Sequence, residues 1–136
     1  MLVKAGVDCF DVSLIATGGF QTQEEVKILG GSSALPKKDP MGTNIALAKT
    51  FKEKLGKPVI AVGKLWDSNV LNHAIEDENI DMVAMGRLMI CDPDAATKML
   101  HGRDDAINQC DECLKCFATI GKGAPMGCKV NKNLPN

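Results

Sequence analysis

Val59-Ile60-Ala61-Val62-Gly63-Lys64 and Met82-Val83-Ala84-Met85-Gly86-Arg87 share one pattern: an uninterrupted apolar run, a glycine, then a cation. Apolar runs this short, with no polar alternation, fit parallel strands covered on both faces. Between them, residues 68–78 read as a helix capped by Asp67 or Ser68, with Val70, Leu71, Ala74 and Ile75 facing inward. Upstream, Thr43 is the expected N-cap of a helix over 44–55 that places Ile45, Ala48, Phe51 and Leu55 near one face and stops at Gly56. Downstream, Asp92-Pro93 opens a helix that Gly102 closes. At the front, Leu2 to Ala5 reads as a helix end closed by Gly6, and residues 7–13 as a short strand containing Cys9. The Gly-, Ser-, Pro- and Lys-rich stretch 30–41 reads as a loop. Strand and helix alternate three times, the mark of right-handed βαβ units; the fold class is α/β with a parallel sheet.

Composition narrows the function. The 136 residues amount to about one domain. Sixteen Lys and Arg against 17 Asp and Glu leave a formal charge of −1, which gives no electrostatic footprint for nucleic acid or an anionic membrane. No apolar run approaches the roughly 18 residues needed to span a bilayer, and residues 1–10 lack an export pattern. Secretion is therefore not expected; a cytoplasmic location follows only from the cluster chemistry and the resemblance set out below. There is no tyrosine, so this chain supplies no tyrosyl proton donor. His73 and His101 fall in outer helices and are expected to be exposed.

A glycine directly after a buried strand lets a phosphate approach backbone N–H groups closely. A following Arg adds a charge-assisted contact to phosphate oxygens. Gly63, Lys64, Gly86 and Arg87 are thus a candidate phosphate site, as the loops after the last two strands of (β/α)8 barrels often are. The plainer alternative is a pair of strand-to-helix turns.

Four of the six cysteines crowd the end of the chain as Cys110-x2-Cys113-x2-Cys116-x11-Cys128. Zinc sites more often pair cysteines in two separate C-x2-C knuckles. A C-x2-C-x2-C run with an outlying cysteine favours a [4Fe–4S] cluster; zinc and unliganded thiols are the alternatives. Phe117, Ile120 and Met126 would shield such a cluster, and Lys115, Lys122 and Lys129 would offset its charge. Cys9 and Cys91 are assigned to packing. The tail from Arg103 reads as a loop-rich appendix. The expected organisation is residues 1–102 as a partial barrel and 103–136 as a cluster-binding segment.

Lys57-Pro58-Val59-Ile60-Ala61-Val62-Gly63, Asp81-Met82-Val83-Ala84-Met85-Gly86-Arg87 with Cys91-Asp92-Pro93-Asp94, and the cysteine run ending Cys128-Lys129-Val130-Asn131 together resemble the iron–sulfur branch of the old yellow enzyme-like NADH:flavin oxidoreductases. Ala5-Gly6-Val7-Asp8 and Asp11-Val12-Ser13 are similar to the approach to that family's sixth strand. The branch includes 2,4-dienoyl-CoA reductase, trimethylamine dehydrogenase and bile-acid-type enoate reductases. The resemblance implies the last three βα units of a TIM (β/α)8 barrel with a cysteine-rich tail. It implies that Gly63, Lys64, Gly86 and Arg87 hold the FMN phosphate, and that Cys110, Cys113, Cys116 and Cys128 ligate a [4Fe–4S] cluster. NAD(P)H would be the electron donor, FAD would belong to a domain outside this chain, and the substrate would be an unsaturated carbonyl, a thioester or an amine. Asn131-Lys132 stands where relatives usually carry Asn-Pro.

The same resemblance implies that substrate-binding and proton-donating residues lie in strands this sequence lacks, so no catalytic residue is expected here. The loop 18–41 would line one wall of the substrate site. The expected partner is an N-terminal barrel half, in the same or a separate chain. Three strands with helices on one side would leave an apolar face and two edges uncovered, so the isolated chain is expected to be marginal, aggregation-prone or dependent on that N-terminal half. The competing expectation is a small non-enzymatic iron–sulfur or zinc-binding electron-transfer module that uses only the tail.

Overall fold

The computed structural model describes residues 2–13 and 40–134. The expected loop over 30–41 and the wall expected of 18–41 fall almost wholly outside the described residues. Two compact units emerge, one holding residues 2–13 and 40–85, the other 86–134. These units follow packing, whereas the boundary at residue 102 expected from sequence marks a change of composition.

In the first unit, strands β1 (Phe10–Val12), β2 (Val59–Val62) and β3 (Met82–Ala84) form a parallel sheet in the order β1-β2-β3. Phe10 pairs with Val59 and Val12 with Ala61; Ile60 pairs with Met82 and Val62 with Ala84. Phe10, Val12, Val59 and Ala61 therefore share one face, and all four are buried. Helix α1 (Ile45–Leu55) covers this face: Phe51 meets Phe10 edge-on, ring centroids 6.1 Å apart. The opposite face carries Ile60, Val62 and Ala84, half-buried, and Met82, which is 45% exposed. β1 and β2 each have one fully buried side; β3, expected to be buried, is an outer strand of the described sheet, and its exposure corrects that expectation.

β1 starts at Phe10 rather than Val7, and the reason lies in its partner. The register sets Cys9 against Pro58, which has no N–H to extend the ladder. Cys9 is thereby left outside the strand and exposed, so its assignment to packing is corrected. A single 3-10 turn, Val3–Ala5, precedes it and ends at Gly6.

Helix α1 is capped by Asn44, not Thr43, and Asn44 makes no side-chain cap. Its amide is drawn to the sheet instead, where Nδ2 donates to the Val62 carbonyl at 2.5 Å. Helix α2 (Ser68–Asn72) has the expected cap: Asp67 Oδ1 accepts the N–H groups of Asn69 and Val70 at 3.0 and 3.2 Å. It then widens into a π turn over His73–Asp77, closed by Glu78 N–H on the His73 carbonyl at 3.0 Å. A π turn advances each residue by less than the α-helical 100° or so. Leu71 and Ala74 stay buried, but Ile75 swings to 43% exposure, against the sequence expectation. Asp81 closes the unit: its carboxylate accepts Lys52 Nζ at 2.5 and 2.6 Å and Val59 N–H at 2.8 Å, tying the entrance of β3 to that of β2. Leu65 and Trp66, just past β2, are buried.

In the second unit, helix α3 (Gly86–Cys91) begins immediately after β3, followed by α4 (Ala95–Leu100), a 3-10 turn at Asp104–Ala106, and α5 (Lys115–Gly121). The helix expected from Asp92-Pro93 to Gly102 is α4, which starts later, at Ala95, while α3 lies before Asp92, where the sequence reading placed no helix. Asp92 Oδ1 accepts Asp94 N–H at 3.1 Å, an Asx turn that holds Asp92-Pro93-Asp94 out of helix. Leu88, Cys91, Ala95, Ile107 and Cys128 make the core. Helix α5 corrects the reading of the tail as loop. No helix among the described residues is long and apolar enough to cross a membrane.

Candidate cofactor sites

The register pair Val62 and Ala84 ends β2 and β3 at one level, so Gly63 and Met85 leave the sheet side by side. Gly63 has φ +143° and Lys64 φ +51°, two successive residues with positive φ directly after β2. Such a backbone needs glycine at the first position. The carbonyl of Gly63 accepts Gly42 N–H at 3.2 Å, and Asn44 takes that of Val62, so the Gly42–Asn44 turn engages the strand's last oxygens. Lys64 is buried, 4% exposed.

Gly86, the first residue of α3, has no positive φ, and among the described residues beyond its own helix and chain neighbours no atom lies within 4 Å of where a Cβ would stand. Among the described residues, neither backbone conformation nor packing calls for glycine there. The open space beside its backbone is what close approach by a ligand uses. Arg87 turns toward the cysteine segment, its Nη1 3.9 Å from Glu112 Oε2, with both side chains largely buried.

The cysteine segment is shaped by left-handed residues between its thiols, Glu112 at φ +56° and Leu114 at φ +58°. Two backbone N–H groups point at sulfur: Glu112 donates to Cys110 Sγ and Asn131 to Cys128 Sγ, each at 3.4 Å. Cys91 Sγ lies 3.6 Å from Cys128 Sγ in the core. Burial, then hydrogen bonding with the Cys128 and Cys110 thiols, pushes the Cys91 thiol well above its usual range. Burial also raises Cys116, countered by the Phe117 backbone and by Arg87, with Cys110 adding to the rise. For Cys128, burial opposes ionisation, yet the N–H groups of Asn131 and Val130 and the Cys91 thiol hold it below its usual value.

Cys110, Cys116 and Cys128 thus feel one another directly or through Cys91, while Cys113 is exposed, with its N–H on Asp111 Oδ1 at 3.1 Å. Among the described residues no three His, Cys, Asp or Glu side chains converge on a single ion position. The donor set nonetheless suits a cluster held by thiolates. It offers four thiols in the C-x2-C-x2-C…C order, two of them already accepting backbone N–H bonds of the kind that tune cluster sulfurs. Phe117 and Met126 are 36% and 38% exposed; the Ile120 side chain lies outside the described residues. Lys129 Nζ pairs with Asp111 at 3.6 Å.

Sequence reasoning missed two participants. Cys91 was assigned to packing, and its burial fits that, but its sulfur lies against a candidate ligand. Glu112 gave no signal at all beyond its place inside the cysteine run. His73 and His101 are exposed as expected, with His73 Nδ1 on Asp77 at 2.8 Å and His101 Nδ1 on the Thr97 carbonyl at 2.7 Å.

Residues 11–106 match the family model described as the NADH:flavin oxidoreductase / NADH oxidase family. The chain is 32% identical over 133 residues to an NADH oxidase of Thermoanaerobacter brockii, which covers 96% of this chain and 19% of that protein. It is 32% identical over 82 residues to dimethylamine dehydrogenase of Hyphomicrobium sp. (strain x), covering 60% of this chain and 11% of that one. Its fold superposes on histamine dehydrogenase from Rhizobium sp. 4-9 with a TM-score of 0.65 at 25% identity, over 71% of this chain and 14% of that one. The chain spans about a fifth or less of the length of the curated relatives it matches.

Proposed function

The chain belongs to the NADH:flavin oxidoreductase / NADH oxidase family, and from that premise we propose that it carries the FMN phosphate site and the iron–sulfur ligands of an NAD(P)H-dependent reductase or dehydrogenase. The β-strands would be the last three of a TIM barrel, completed by an N-terminal half in the same or another chain. When bound, FMN supplies a hydride acceptor and a [4Fe–4S] cluster supplies one-electron carriage. Gly63 and Lys64 would present backbone N–H groups to the phosphate after β2. Gly86 would let the phosphate approach the start of α3, and Arg87 would add positive charge while its pairing with Glu112 ties that end to the cysteine segment. Cys110, Cys113, Cys116 and Cys128 would hold the cluster. The substrate class is a small unsaturated carbonyl, thioester or amine, selected by residues outside the described ones.

The observation that carries the flavin reading is Gly86: a glycine that neither φ nor packing demands, next to an arginine, at the exit of a parallel strand. A small module using only the cysteine tail is not favoured, because the family match covers residues 11–106 and ends before the first clustered cysteine. Gly86→Val tests this, since at the Cβ position nothing among the described residues beyond its own helix and chain neighbours lies within 4 Å. Flavin fluorescence titration should show FMN affinity falling at least about tenfold in this variant, the loss of contacts worth about 1.4 kcal/mol. Unchanged affinity in a variant of unchanged circular dichroism would sink the phosphate site. For the cluster, anoxic reconstitution with iron and sulfide should give broad absorption near ~400 nm; zinc bound in its place would remove that half of the reading.

A further inference from the structure

We propose that Cys91 is a fifth thiol of the iron–sulfur site, placed to take over from Cys128 as an iron ligand. The inference rests on the reading of the cysteine run as cluster ligands. Its basis is a sulfur–sulfur contact: Cys91 Sγ and Cys128 Sγ are 3.6 Å apart, and the two residues are 4% and 5% exposed. An iron bonded to one of two touching sulfurs is within a side-chain rotation of the other.

Local structure holds the two thiols in this relation. Asn131 Nδ2 donates to the carbonyl of Ile90, the residue before Cys91, at 2.8 Å, while Asn131 N–H donates to Cys128 Sγ. On the other side of Cys91, the Asp92 carboxylate is fixed by Lys98 Nζ at 2.6 Å and by the N–H groups of Asn108 and Asp94 at 2.8 and 3.1 Å. One asparagine thus ties the end of α3 to the Cys128 turn, and one aspartate ties it to the strand of chain that leads into Cys110. Packing alone would be met at position 91 by a small apolar side chain such as alanine. A thiol adds a soft donor next to a ligand.

The exchange moves no electrons. Cys91 Sγ gains a bond to iron and releases its proton; Cys128 Sγ loses its bond to iron and takes a proton up. Charge and redox state of the site are the same before and after.

The test compares the full chain with Cys91→Ala, Cys128→Ala and the double variant after anoxic reconstitution, reading iron and acid-labile sulfide per chain. Cys91→Ala should load like the parent, and Cys128→Ala should retain iron within about twofold of it. The double variant should fall about tenfold or more below Cys128→Ala, at least what loss of a group supporting a metal ligand costs. Cys128→Ala falling as far as the double variant overturns the proposal. If the parent itself takes up neither iron nor sulfide, it is the cluster reading that fails. Should Cys128→Ala not fold by circular dichroism, the cluster-free parent decides. Hydrogen peroxide, converting two thiols to one disulfide with release of two waters, should join Cys91 to Cys128 in the peptide digest. Absence of that bridge in the folded parent also overturns the proposal.

Discussion

Asp92 is the residue whose removal tests the second unit most directly. It is 3% exposed and its carboxylate accepts from Lys98 Nζ, Asn108 N–H and Asp94 N–H. Asp92→Ala leaves the Lys98 ammonium, 17% exposed, without this partner and the Asn108 amide without its acceptor. A hydrogen bond to a charged group contributes about 1.5–3 kcal/mol. If the Asn108 amide exchanges by local opening, its hydrogen exchange should accelerate about 10- to 150-fold. Removing one member of a largely buried ion pair adds a global cost of about 3–5 kcal/mol. Amide exchange read by mass spectrometry or NMR reports the first effect, and urea unfolding followed by circular dichroism the second. Acceleration under about threefold at Asn108 would refute the claim that Asp92 anchors the approach to Cys110. The sign with pH follows from Lys98, which with the backbone N–H groups holds the Asp92 carboxyl below its ordinary 3.8. Its contribution is complete above the unfolded value near 3.8 and disappears as pH falls through the lower native value.

Three further outcomes follow from the first unit and the site. Asp81→Ala should lower stability by about 1 kcal/mol, the net value of the Val59 N–H bond, and the parent should lose that increment on acidification below pH 3.8, since Lys52 and then Val59 N–H depress the Asp81 carboxyl; urea midpoints at pH 7 and pH 3 measure both. Gly42→Ala should destabilise by about 1–2 kcal/mol, because φ is +70° and the new Cβ would stand 2.7 Å from Ile45 Cδ1 and 2.9 Å from Val70 Cγ1; a thermal midpoint equal to that of the parent would contradict it. Glu112→Gln should leave iron loading intact but make the reduction potential of a reconstituted cluster more positive, as the negative charge paired with Arg87, on the residue whose backbone N–H meets Cys110 Sγ, is lost; spectroelectrochemistry reads the shift.

Much of the architecture was legible because strand, turn and helix signals agreed locally. Val59 to Val62, Asp67 as a cap and Gly56 and Gly102 as stops all appear where periodicity and capping chemistry put them. The departures come from tertiary partners that spacing does not encode. Pro58 shortens β1 through the register, Asn44 leaves its cap for a strand carbonyl, and Asp92 delays the start of α4 to Ala95 by gathering donors from 94, 98 and 108. At the site, residue types and spacing named the thiols and the glycines. They did not reveal that Cys91 would meet Cys128 across 37 positions, because contact between distant segments is decided by packing. Nor did the apolar character of Phe117 and Met126 disclose their exposure.

Trp66 gives the chain a built-in optical gauge. It is the sole indole, it is buried, and it follows by two residues the Lys64 turn at which a flavin phosphate would dock. Isoalloxazine absorbs where indole emits, so a flavin seated at that turn would quench the emission by resonance transfer. Occupancy could then be followed in real time with no label attached, and a variant that folds but stays bright as flavin is added would show an empty seat.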